Sequence, residues 1–288
     1  MHLVRYRHAG GDARPGILED GEVRPLAGVA ALEELWMLSP RELATRCSAA
    51  AHSLGVPLAE VELLAPIDGR TEVWASGVTY EISREARVEE SERAADIYRL
   101  VYDAERPELF FKAVSWKVQG PGGALGIRED SSVNVPEPEL AIVCNAAGEI
   151  VGYSICNDCS SRSIEGENPL YLPQAKVYAG SCALGPGIRP AFEVPDPYAL
   201  SIALRIVRDN TAVFDGVTST ARLHRRLEDL AGYLFRGDRF PSGAVLSTGT
   251  CLVPETPFTL EEGDEVEITI EALGTLTNSV VRGPAASA

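Results

Sequence analysis

The sequence predicts an α+β protein, mostly β, with a small α+β unit ahead of a strand-rich body. Three observations predict it. Beyond about residue 69 the chain is a succession of short apolar runs interrupted by Gly and Pro. Glu265-Val266-Glu267-Ile268-Thr269-Ile270-Glu271 alternates polar and apolar residues, as a half-buried strand must. Helical periodicity is confined to a few stretches. At 288 residues the chain is long enough to bury a sizeable core.

Taken in chain order, Leu3–Tyr6 and Gly21–Arg24 read as short strands. Ala30–Leu38 and Pro40–Leu54 read as helices, the second with Ser39 as N-cap and Pro40 at the first helical position. Ala65-Pro66-Ile67-Asp68-Gly69 is a turn-rich boundary. It divides an N-terminal domain, 1–68, from a larger one, 69–282, with 283–288 as a flexible tail. Ser83 to about Tyr102, rich in Glu, Arg and Ala, reads as a helix. Ala221–Phe235 reads as another, with Leu223, Leu227, Leu230 and Leu234 on one face. Leu140–Val143 and Val151–Ile155 flank Asn145-Ala146-Ala147-Gly148 and read as a hairpin.

Composition narrows the function. Asp and Glu number 42 against 26 Lys and Arg, a formal charge of -16. Nucleic acid and anionic membrane are therefore excluded as partners, because phosphate binding runs on basic patches. No window approaches the ~18 apolar residues of a membrane span, and the first residues carry no secretory run. The reading is a cytoplasmic protein. The cysteines read as small core residues. Cys156-Asn157-Asp158-Cys159 has no second pair or histidine at zinc-ligand spacing.

The most informative stretch is Val135-Pro136-Glu137-Pro138-Glu139-Leu140-Ala141. Pro138 holds itself and Glu137 in extended geometry, where residues i and i+2 point the same way. Two carboxylates then converge just before an apolar strand. Like charges side by side need a joining cation, and oxygen-only ligation suits Mg²⁺, Mn²⁺ or Ca²⁺. From this motif alone, two solvated glutamates on an exposed edge read equally well. Asp158, after the second hairpin strand, offers a third carboxylate or is a turn Asp. Lys176 pairs with ligand carboxylates or a substrate anion, or is an exposed edge lysine.

Together, Pro136–Leu140, Asn157-Asp158-Cys159-Ser160-Ser161-Arg162, Lys176 with Tyr178–Pro186, and Ser247-Thr248-Gly249-Thr250 resemble the fumarylacetoacetate hydrolase superfamily in order and spacing. The resemblance implies a mixed β-sheet roll of that family's C-terminal type. It also implies a divalent cation, usually Mg²⁺, held by Glu137, Glu139 and Asp158. Tyr102–Ala113 and Ile164–Gln174 are most similar to the branch of 2-keto-3-deoxy sugar acid dehydratases, the arabinonate enzymes among them. Hydrolases of the superfamily commonly carry Gly-x-Asn-Tyr-x-x-His-x-x-Glu. Here Ser83 and Ala86 stand where that His and Glu would be.

The implied activity is dehydration of a 2-keto-3-deoxypentonate-like α-keto acid through a metal-stabilised enolate, giving 2-oxoglutarate semialdehyde or an analogue. An acylpyruvate or fumarylpyruvate hydrolase, or an oxaloacetate decarboxylase, is the alternative on the same metal site. The implied catalytic residues are Glu108, beside the apolar Leu109-Phe110-Phe111, and Lys176. Lys112 is expected beside the substrate with Lys176. Thr250 and its glycine turn are expected to bind a carboxylate. Tyr80, Ser83 and Arg84 are expected on a lid. Ser163 stands where the family usually has Asp. A homodimer or homotetramer is the expected assembly.

Overall fold

The computed structural model describes residues 1–50, 53–80, 100–255 and 257–286. The first strands are β1 (His2–His8), β2 (Arg14–Glu19), β3 (Glu22–Pro25), β4 (Val56–Pro57) and β5 (Val61–Leu64). Next come β6 (Glu72–Gly77), β7 (Glu108–Val114), β8 (Ala124–Ile127) and β9 (Asn134–Val135). The hairpin pair is β10 (Pro138–Cys144) and β11 (Ile150–Asp158), followed by β12 (Ser160–Ser161) and β13 (Cys182–Pro190). The last strands are β14 (Ser201–Arg208), β15 (Thr211–Ser219), β16 (Ala244–Ser247), β17 (Glu265–Ile270) and β18 (Gly274–Arg282). The α-helices used below are α1 (Pro40–Ala50), α2 (Arg162–Glu167), α3 (Leu172–Lys176) and α4 (Leu227–Gly237).

Most of the strands form two sheets. An eleven-stranded sheet runs β4-β3-β2-β1-β13-β11-β10-β16-β6-β7, with β5 also on β1. Its β16–β6 pair is parallel among antiparallel neighbours, so the sheet is mixed, as expected. A five-stranded sheet runs β15-β14-β17-β18-β8. The N-terminal strands join the large sheet directly, through Leu3 opposite Ile188.

Strand β10 shows why its sequence is an unbroken apolar run. Leu140, Ile142 and Cys144 enter the core shared with Leu204, Ile268 and Leu276 of the second sheet. Ala141 and Val143 enter the core shared with Leu35, Trp36 and Leu43 of the N-terminal segment. A strand covered on both faces has no solvent side on which to alternate. By contrast β17 follows the predicted alternation, with Val266, Ile268 and Ile270 buried between more exposed neighbours.

Local chemistry accounts for the helix starts. The backbone N–H of Ser39 donates to Glu42 Oε2 at 2.9 Å, and that of Glu42 to Ser39 Oγ at 3.4 Å. This reciprocal capping box opens α1. The helix expected over Ala30–Leu38 is a 3-10 helix, Leu32–Met37, whose first N–H groups donate to the Asp68 carboxylate at 2.9 Å. The helix expected from Ala221 begins only at Leu227. His224 N–H instead donates to Thr79 O at 2.9 Å, and Leu223 bridges Tyr80. A tertiary strand contact thus overrides the leucine periodicity over its first turn. The helix expected from Ser83 lies outside the described residues as far as position 99. Residues 283–286 lie against the fold: Ala285 is buried, and Gln119 Nε2 donates to Ala286 O at 2.8 Å.

All six cysteines are free and buried. Burial pushes the Cys47 thiol up to about 11 and Cys144 to about 12. Thiols that are shielded and protonated are poor nucleophiles. The native protein is expected to give almost no reaction with a disulfide reagent at about pH 8. All six thiols should titrate after denaturation.

Candidate metal centre

The β10–β11 hairpin builds the site. Asn145 Oδ1 accepts from the backbone N–H groups of Ala147 and Glu149 at 3.0 and 2.9 Å, which fixes the turn. The register that follows places Pro138 opposite Asn157 and Glu139 opposite Cys156. The start of β10 therefore faces the end of β11. Glu137 lies across from Asp158, whose N–H donates to Glu137 O at 3.0 Å. Glu139 follows two residues on and shares that face. A slip of one residue would turn the carboxylates to the opposite side.

Glu137, Glu139 and Asp158 each bring a carboxylate oxygen within 4.8 Å of the others, and all three residues are buried. Glu139 Oε2 accepts from Ser247 Oγ at 2.6 Å and from Gly249 N–H at 2.7 Å. Gly249 has φ +90°, and a Cβ there would strike Thr79 Oγ1. The close backbone approach to Glu139 therefore needs glycine. Burial, then the charges of Asp158 and Glu137, push the Glu139 carboxyl well above its usual range, partly offset by Lys176.

Three cations answer the triad. Lys176, at the end of α3, donates to Glu137 Oε2 at 2.8 Å, Asp158 Oδ2 at 3.1 Å and Ser160 Oγ at 2.6 Å. Arg162, at the start of α2, reaches Glu137 Oε1 through Nε at 3.1 Å and Nη2 at 3.0 Å. Lys112, on β7, forms an ion pair with Asp158 Oδ1 and donates to Cys159 O at 3.2 Å and Lys176 O at 2.5 Å. Two of its N–H donors are thus used by backbone carbonyls, with its charge held against Asp158. Lys112, expected beside the substrate, is 1 % exposed and braces Asp158 and the end of α3.

The cavity over the triad is lined by Ser76, Gly77, Glu108, Phe110, Arg162, Glu165, Leu172, Lys176, Gly249 and Thr250, among others. Glu108 therefore faces the triad, and a Cβ on Gly77 would strike its carboxylate. Thr250 lines the same space. Tyr80 was expected on a lid; it is fully buried, pairs its backbone with Leu223 and does not line the cavity. Ser83 and Arg84 lie outside the described residues. Ser163 hydrogen-bonds Ser131 Oγ at 2.9 Å and Ser132 N–H at 3.2 Å, and does not line the cavity either. Sequence reasoning gave no role to Gly77, Ser247 or Glu165. Glu165 had one signal: at i+3 from Arg162 it shares that residue's helix face.

The residues fit a hard divalent cation. The donor set is oxygen only, as Mg²⁺ or Ca²⁺ prefers. The lining holds five carboxylates, those of Glu108, Glu137, Glu139, Asp158 and Glu165. Arg162, Lys176 and, behind Asp158, Lys112 supply three positive charges.

A model described as the fumarylacetoacetate hydrolase C-terminal domain matches residues 73–281. A second, described as Rv2993c-like, N-terminal, matches residues 1–66. A Haloferax volcanii protein named "Probable 2-keto-3-deoxyxylonate dehydratase" is 47% identical over 261 residues, covering 91% of this chain and 89% of its own. A 2-dehydro-3-deoxy-D-arabinonate dehydratase of Saccharolobus solfataricus is 46% identical over 224 residues, 77% of this chain and 75% of its own. The solved structure of a 2-keto-3-deoxy-D-arabinonate dehydratase complexed with magnesium and 2,5-dioxopentanoate superposes with a TM-score of 0.81. Its identity to this chain is 36%, and the match covers 99% of this chain and 100% of the other.

Replacing Lys112 by Met should leave Asp158 Oδ1 and two buried carbonyls without their cation. The expected cost is about 3–5 kcal/mol of unfolding free energy, read by denaturant titration.

Proposed function

This chain belongs to the fumarylacetoacetate hydrolase family, and within it we propose that it is a magnesium-dependent hydro-lyase acting on a 2-keto-3-deoxypentonate. The observation that carries the reading is the buried triad of Glu137, Glu139 and Asp158, braced by Lys176, facing Glu108 across one cavity. Its support from relatives is the pair of sugar-acid dehydratases at 46–47% identity. Hydrolysis is disfavoured by sequence, because Ser83 and Ala86 stand where the family's water-activating His and Glu would be. Decarboxylation would use the same metal site, and a substrate assay separates it.

Glu137, Glu139 and Asp158 would hold the ion, which when bound polarises the α-keto acid and acidifies its C3 hydrogens. Every further step falls to the chain. Glu108 takes a C3 proton, and the electron pair moves into an enolate. The C4–O bond then breaks, and the C4 hydroxyl leaves as water with a proton returned by Glu108. Shifting a proton from C5 to C3 converts the resulting 5-hydroxy-2-oxopent-3-enoate to the 5-enol, which ketonises by protonation at C4. The product is 2,5-dioxopentanoate, and the balance is the loss of one water. Lys176 keeps Glu137 and Asp158 in place and puts positive charge beside the developing enolate. The apolar wall that includes Phe110 and Leu172 restricts water at Glu108.

Purified protein with Mg²⁺ should convert a 2-keto-3-deoxypentonate to 2,5-dioxopentanoate, and chelation should abolish turnover. Conversion of acylpyruvates or oxaloacetate alone would overturn the reading. In Glu137→Gln, calorimetry should show Mg²⁺ affinity lowered by at least about tenfold. Glu108→Gln should lower kcat by about 10²–10⁴ while Mg²⁺ still binds. Gly77→Ala, which displaces the Glu108 carboxylate, should move kcat in the same direction with metal affinity unchanged.

A further inference from the structure

We infer that Thr79 is a positioning residue of the metal centre: its hydroxyl locks the Thr248–Gly249 peptide in the orientation that points the Gly249 N–H at Glu139. The inference rests on the reading above, that the triad holds a divalent ion.

Strands β6 and β16 run parallel and pair as far as Ala75 opposite Ser247. Beyond that rung the two chains continue side by side toward the site. Thr248 is tied to β10, where its N–H and its Oγ1 donate to Leu140 O at 3.0 and 2.8 Å. The peptide that follows is held at both of its polar ends. Thr248 O accepts from Thr79 Oγ1 at 2.6 Å. The N–H of the same peptide, on Gly249, donates to Glu139 Oε2 at 2.7 Å. A trans peptide is planar, with its C=O and N–H on opposite sides. Fixing the oxygen therefore fixes the direction of the N–H.

Gly249 makes such a lock necessary. It has φ +90°. Turning the peptide over would carry Gly249 toward negative φ, which glycine adopts about as readily. The residue that permits the close approach to Glu139 thus offers no resistance of its own to the rotation. A turned peptide would set a carbonyl oxygen against the Glu139 carboxylate and withdraw the N–H. It would also strand the Thr79 hydroxyl in a buried place, which is costly.

Thr79 is itself firmly placed. It is fully buried, its carbonyl accepts from His224 N–H at 2.9 Å, and Tyr80 pairs with Leu223 beside it. Val78, one residue earlier, has φ +53°, where a β-branched residue is an outlier. Such a conformation persists only where the surroundings over-determine the backbone.

The test compares Thr79→Val, which keeps the shape and removes the donor, with Thr79→Ser, which keeps the hydroxyl. Thr71→Val is the control, because Thr71 Oγ1 also donates to a backbone carbonyl, Ser242 O at 2.9 Å, in a buried place outside the cavity lining. Calorimetry should show Mg²⁺ affinity lowered by about tenfold or more in Thr79→Val and unchanged in Thr79→Ser and Thr71→Val. In metal-free protein, the Gly249 amide should exchange with solvent at least about tenfold faster in Thr79→Val than in the wild type. Wild-type Mg²⁺ affinity in Thr79→Val overturns the inference, and so does an equal loss in Thr71→Val or Thr79→Ser. If Thr79→Val does not fold, a rapidly exchanging Gly249 amide in the wild type overturns it. If the wild type binds no Mg²⁺, the metal reading fails, and the metal-free exchange comparison decides the lock by itself.

Discussion

Three carboxylates buried within 4.8 Å of one another set the terms for the surrounding structure. Left alone, such a cluster is strongly unfavourable, because each charge is desolvated and repels the other two. The fold answers with hydrogen bonds and cations from separate parts of the chain. Ser247 and Gly249 come from the end of β16, Lys176 from α3, Arg162 from α2 and Lys112 from β7. These segments are far apart in sequence, and the triad gives them a common centre. An oxygen-only cluster of this kind suits a divalent ion as a further partner. Among the described residues, Lys112, Arg162 and Lys176 bring positive charge into or directly behind the carboxylate cluster.

The precision of that cluster comes from an ordinary hairpin. Because β10 is buried on both faces, its register is fixed by two cores at once. The turn at Asn145 closes the hairpin with side-chain hydrogen bonds. Strands β10 and β11 therefore aim Glu139 and Asp158, and Glu137 is set one residue ahead of β10. Around them, α2 and the turn at Thr250 supply further side chains to the cavity wall.

Much of this was legible in the sequence, for identifiable reasons. Pro138 forces the extended geometry that puts Glu137 and Glu139 on one side. The apolar runs around Asn145–Gly148 announce the hairpin that brings Asp158 back to them. The alternation of residues 265–271 gives β17. Other features were hidden because they depend on long-range contacts. Nothing in the sequence around Lys112 shows that it donates to Cys159 O and Lys176 O, because those contacts depend on the paths of β12 and α3. The leucines from position 223 promise a longer helix, but Leu223 is drawn into a bridge with Tyr80. Tyr80 is held in the interior by the same contact. Glu165 is an unremarkable helix residue until Arg162 orients its helix toward the cavity.

The central claim is that these three carboxylates form one binding site for a divalent cation. A crystal structure of the protein grown with Mn²⁺ in place of Mg²⁺ tests it most directly, through anomalous scattering. The account predicts one strong anomalous peak bonded to an oxygen of each of Glu137, Glu139 and Asp158, with Lys176 still on Glu137. A peak that excludes any of the three, or ordered crystals with no peak there at saturating Mn²⁺, would contradict it.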